Sequence, residues 1–84
     1  MKILDLKMYF SQGREIEFSL NGHNYFLQPL YDDNENKYVL YDCIDPNHIS
    51  VVLQATVDTI MEYLFDGKYS FNNNLSAFDF ICVL

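Results

Sequence analysis

The most constraining stretch is Glu15-Ile16-Glu17-Phe18-Ser19-Leu20, which alternates polar and apolar residues and then meets Asn21-Gly22. Strict alternation is the period of a half-buried strand. Asn-Gly supplies the two positive-φ residues of a type I′ turn, whose twist matches that of paired strands. His23 to Tyr31 therefore returns as a second strand. A two-residue loop pairs Leu20 with His23, Phe18 with Tyr25 and Ile16 with Leu27. One face then collects Ile16, Phe18, Leu20, Tyr25 and Leu27, and the other Glu15, Glu17, Ser19, Asn24, Phe26 and Gln28; a four-residue loop would shift the pairing by two and keep the same faces.

A hairpin alone is not stable in water and needs further strands or a helix on its apolar face. The rest of the chain offers both. Residues 2–11 form a short expected helix with Ile3, Leu6, Met8 and Phe10 as apolar positions, Leu4 on the flank and Gly13 as its stop. Asp32-Asp33-Asn34-Glu35-Asn36 is expected as a loop, followed by a third strand at 37–44 that is apolar on both faces. Asp45-Pro46-Asn47-His48 marks a turn, since proline cannot donate to a ladder, and the β-branched run 49–53 is a fourth strand. Residues 56–66 give the clearest helical signal: Val57, Ile60, Met61, Leu64 and Phe65 recur at i, i+3, i+4, i+7 and i+8. Thr56 caps its start, Asp58 suits its positive end and Gly67 stops it. Asn72-Asn73-Asn74 is expected as a loop, and 76–84 as a last strand with Phe78, Phe80, Cys82 and Leu84 on one side. Helix, antiparallel meander of three to four strands, helix and strand make an α+β fold, with residues 1–84 as one domain.

Charge and size restrict the function. The chain has 84 residues and a net charge of −7 from twelve Asp and Glu against five Lys and Arg. This argues against binding a phosphate backbone, which needs clustered cations, and against an anionic membrane surface. The aromatic content of 17% is that of a chain that orders a core. Asp5 and Lys7 interrupt any leader-like apolar run, and no stretch reaches the roughly 18 apolar residues of a membrane span. A cytoplasmic protein with reduced Cys43 and Cys82 is the expectation, which makes Asn74-Leu75-Ser76 a chance glycosylation match.

Several constellations invite a chemical reading. Asp58, Glu62 and Asp66 stand at i, i+4 and i+8 on the expected helix, beside Tyr63. Like charges at that spacing repel slightly; the row reads either as a solvated face or as a docking face for a basic protein. Glu15, Glu17, Asp32, Asp33 and Glu35 suggest a second acidic zone on the open side of the sheet. Together, such rows could imitate nucleic-acid phosphates. Phe26, Leu30, Tyr38, Leu40 and Ile44 are expected on the sheet face away from Ile16 and Phe18, either under a helix or as a dimer face. His23, Cys43, His48 and Cys82 are the soft metal ligands, but they lack the paired spacing of structural zinc sites. Neither a metal nor a cofactor is expected. An enzyme would have to use Cys43 with His48 and Asp45, or Glu15 and Glu17, about 7 Å apart on one strand face. Cys43 is expected in the core, where a thiol is inert, and a chain this short has little volume for a cleft.

The run from Gly13 to Phe26, GREIEFSLNGHNYF, together with Phe65-Asp66-Gly67-Lys68, resembles small α+β proteins of Gram-positive bacteria and their phages or mobile elements. The resemblance implies the fold and a bacterial or phage origin, and transfers no catalytic residue. The expectation from all of this is a non-enzymatic, acidic interaction module, in its most concrete form an inhibitor that occupies a basic host surface. The alternatives are a homodimer using an aromatic sheet face and a small enzyme using Cys43.

Overall fold

The computed structural model describes residues 1–32, 35–42, 49–54 and 56–84, with side chains described for 1–29, 37–41 and 56–84. The element order is α1 (Ile3–Ser11), β1 (Ile16–Leu20), β2 (His23–Asp32), β3 (Glu35–Asp42), β4 (Ile49–Gln54), α2 (Val57–Glu62), α3 (Phe71–Asn74), a 3₁₀ turn (Leu75–Ala77) and β5 (Phe78–Val83). The strands form one antiparallel sheet in the order β4-β3-β2-β1-β5. The fold is α+β, as the sequence predicts.

The hairpin takes the expected form. Leu20 pairs with His23, Phe18 with Tyr25 and Ile16 with Leu27. Asn21 and Gly22 have φ of 52° and 78°, the left-handed values that a type I′ turn requires. Ile16, Phe18, Leu20 and Leu27 are fully buried.

Helix α1 also ends where glycine permits. Gly13 has φ of 70°; its N–H donates to Phe10 O at 3.1 Å and the Arg14 N–H to Tyr9 O at 3.0 Å. These two bonds are those of a Schellman cap. Leu6 and Phe10 face the sheet, while Leu4 and Met8 point to solvent. Met8 thus leaves the apolar face expected for it, because it falls nearly 180° from Phe10 around the helix.

Aromatic rings make the centre of the core. The Phe18 ring lies 5.3–6.3 Å from those of Tyr25, Phe65, Phe71, Phe78 and Phe80. Edge-to-face pairs among them suit the ring quadrupole. Tyr38 of β3 closes one end: its ring meets Phe10 edge-on at 5.5 Å, and its hydroxyl lies 3.3 Å from Phe10 O and 3.2 Å from Arg14 O. Phe10 O, already bonded by the Gly13 N–H, thereby gains a second donor, and Arg14 O beyond the helix gains one as well.

Four expectations are corrected. Helix α2 ends at Glu62 rather than at residue 66. The backbone opens at Tyr63 (ψ 135°), and Phe65 and Tyr69 form a β-bridge around Asp66 and Gly67, at φ of 55° and 67°. The Lys68 N–H reaches Phe65 O at 3.0 Å, which closes a second turn with the φ signature of type I′. Leu64, assigned to the apolar stripe, is therefore 52% exposed. Asn72-Asn73-Asn74 is helical rather than a loop: buried Ser70 accepts the Asn73 N–H at 3.1 Å and donates its own N–H to Asn74 Oδ1 at 3.1 Å. The acidic stretch expected as a loop lies largely in strands, since β2 runs through Asp32 and β3 starts at Glu35. In β5, an irregularity opposite Glu17 and Phe18 shifts the phase. Phe78 and Phe80 join the core, but Cys82 pairs with Glu17 and Val83 with Ile16, so Val83 takes the core side and Leu84 is exposed. The turn at 45–48 lies outside the described residues.

Candidate functional site

The two faces of the sheet decide where a partner could bind. All three helices contribute to the core built on Ile16, Phe18, Leu20, Leu27 and Leu40. Among the described residues no helix lies on the opposite face. Glu17, Phe26 and Tyr41 form one row across it by register, and Gln28 pairs with Val39 in the next. This arrangement corrects the expected dimer face. Leu40 pairs with Leu27, and Tyr38 with Pro29, so both belong to the helix-covered side, at 3% and 2% exposure. The error came from strand phase: β3 is apolar at every described position from 38 to 41, so alternation could not orient it. Phe26 does lie on the uncovered face and is half-buried. Leu30 pairs with Lys37, its side chain outside those described, as is Ile44. Sequence reasoning missed Val39 and Tyr41, which face outward; Val39 is nonetheless only 2% exposed.

The acidic helix row is divided. Thr56 caps α2 by accepting the Thr59 N–H at 3.2 Å, and Ile60 and Met61 turn fully inward. Asp58 and Glu62, one helical turn apart, remain exposed. Tyr63 leaves the helix and lies half-buried, its ring edge-on to Phe65 at 4.9 Å. Asp66 does not continue the helix; it stands exposed in the turn and accepts from the Tyr25 hydroxyl at 3.3 Å. The signal for that turn was in the sequence. Asp66-Gly67 is the same kind of dipeptide as Asn21-Gly22, and both bring a carboxylate or amide to positive φ.

The second acidic zone is likewise not one cluster. Glu17 pairs with Phe26, whereas Asp32 pairs with Glu35 six positions further along β2. That separation is about 20 Å at the rise of a strand. Glu15 sits where β1 begins, its backbone exchanging bonds of 3.3 and 2.8 Å with Leu84. Asp33 lies outside the described residues.

Charge is unevenly distributed along the chain. Residues 1–15 and 78–84 carry Lys2, Lys7 and Arg14 against Asp5, Glu15 and Asp79, and are neutral; the whole −7 falls between residues 16 and 77. Among the described residues no three His, Cys, Asp or Glu side chains gather as a metal set, and Cys43, Asp45 and His48 lie outside them. Cys82 is half-buried, as a free thiol. No described helix is long and apolar enough to cross a membrane. Comparison with family models, with curated proteins and with solved structures finds no match.

Proposed function

We propose that this chain is a non-enzymatic interaction module that docks on a basic protein surface through Asp58, Glu62 and Asp66, with Tyr63 at the edge of the contact. The observation that supports it is the exposure of all three carboxylates on α2 and the turn that follows, in the part of the chain that holds the entire net charge. Complementary charge of this kind chiefly speeds association and sets orientation. The aromatic edge supplies affinity, since tyrosine gives large contact area with few rotors. The resemblance to phage and mobile-element proteins makes an inhibitor of a basic host protein the concrete form of this reading.

The test is affinity capture from bacterial lysate with the wild-type chain and with a variant carrying Asp58→Lys, Glu62→Lys and Asp66→Asn. Asparagine is chosen at 66 because it tolerates the positive φ found there. A partner that the wild type retains at low salt, loses at high salt and that the variant fails to capture supports the assignment. Capture unchanged by the variant overturns it.

A further inference from the structure

Asn21 is the only asparagine of the chain that is followed by glycine. A glycine nitrogen has no neighbouring side chain to shield it, so it can attack the Cγ of the preceding asparagine. Asn21 and Gly22 are both exposed, and nothing lies within 4 Å of where a Cβ on Gly22 would stand. Surrounding chain therefore does not obstruct the attack. The obstacle is the turn itself. Ring closure needs the Asn21 Cβ and the Gly22 nitrogen on the same side of the Cα–C bond. A type I′ turn has ψ of about 30° at its first central residue, which sets these two atoms nearly opposite each other. Asn21 has φ of 52° in a two-residue turn closed by the Leu20–His23 pair, and is held in that unreactive form.

We infer that Asn21 is a self-modification site that the hairpin holds shut, and that its isoaspartyl product undoes the turn. When the Leu20–His23 pair opens, the Gly22 nitrogen bonds to Asn21 Cγ and the side-chain amide leaves as ammonia. The product is a cyclic succinimide. Water then adds to one of its two carbonyls and breaks that carbonyl's bond to the nitrogen. Cleavage at Cγ gives an ordinary aspartate. Cleavage at the main-chain carbonyl gives isoaspartate, in which the chain runs through the former side chain. One water is consumed and one ammonia released, with no oxidant or reductant. The two products have the same charge and different consequences. Asp-Gly still suits a type I′ turn. Isoaspartate adds a methylene to the main chain inside a two-residue turn, and turn length fixes hairpin register. That register places Ile16, Phe18, Leu20 and Leu27 in the core, and it brings Tyr25 to Asp66. Asp66-Gly67 shares the positive φ but is less reactive: its Gly67 N–H already donates to Leu64 O at 3.3 Å, and a carboxylate is a poorer electrophile than an amide.

The test incubates the whole chain in mildly alkaline buffer, with and without guanidinium chloride. Mass spectrometry follows the amide-to-acid mass gain in the peptide that contains Asn21. A reaction that passes through an open state follows the population of that state when opening and closing are fast. The folded wild type is expected to react at least about tenfold more slowly than the same chain in guanidinium. Leu20→Val trims a fully buried contact beside the turn and is expected to narrow that ratio at least about twofold. Each rate is taken relative to the same chain in guanidinium, so a direct effect of the neighbouring residue cancels. The isoaspartyl chain, isolated by chromatography, is expected to unfold at lower denaturant concentration than Asn21→Asp, which has the same charge and an ordinary backbone. No mass gain at Asn21, equal rates in the folded and unfolded wild type, a ratio that Leu20→Val leaves unchanged, or an isoaspartyl chain as stable as Asn21→Asp overturns the inference.

Discussion

The two faces of the sheet contain similar residues and have opposite roles. On the helix-covered face, Phe18 is fully buried and ringed by five aromatic side chains. On the other, Phe26, in the strand paired to β1, is half-buried with no described helix above it. Both are phenylalanines in adjacent strands, so composition does not separate them. Strand phase does, since neighbours along a strand point to opposite faces. The ring cluster is thus concentrated on one side, while on the other Phe26 is half-buried and Val39 is 2% exposed without a described helix above them.

The sharpest way to break this contrast is Phe18→Ala. It empties the centre of the ring cluster and should cost about 4 kcal/mol, as buried Phe-to-Ala changes do. Urea unfolding measures it, and a loss under about 1 kcal/mol would mean that the covered face is not the main core. Tyr38→Phe keeps the ring against Phe10 but removes the hydroxyl beside Phe10 O and Arg14 O. We expect a loss of about 1 kcal/mol, with hydrogen exchange faster at the end of α1 than in β1, because Phe10 O and Arg14 O each lose the hydroxyl while Phe10 O keeps the Gly13 N–H. Ser70→Ala removes the cap of α3, which is 1% exposed, and should cost about 1 kcal/mol by the same unfolding assay. Phe26→Ser, on the uncovered face, should change stability by less than about 1 kcal/mol. A larger loss at Phe26 than at Ser70 would show that something covers that face after all.

Local chemistry was legible in the sequence wherever the backbone itself made the decision. Asn21-Gly22 set the hairpin and its register, Gly13 ended α1, and Thr56 began α2. The same rule at Asp66-Gly67 was masked by an apolar stripe of helical spacing. Phe65 fits that stripe and is buried, but it reaches the core from a β-bridge, where its ring meets Phe18, Phe71 and Phe78. Burial of a large ring outweighed the small propensity gain of one more helical turn. Of the acidic row, Asp58 and Glu62 kept their helical relation and Asp66 lost it for this reason.

The sequence by itself determined the elements with their own punctuation: the β1–β2 hairpin, α1 with its glycine stop, the start of α2 and the α+β class. Turn and cap residues act within four or five positions, so their effect needs no knowledge of distant chain. Only the tertiary structure decided which face of β3 is buried, where α2 gives way to a turn, and that β5 changes phase beside Glu17. Each of these depends on which distant surface a side chain meets. Tyr38 and Leu40 look the same as Val39 and Tyr41 along the chain, and their direction is set by pairing with β2 and by the helices that cover one side.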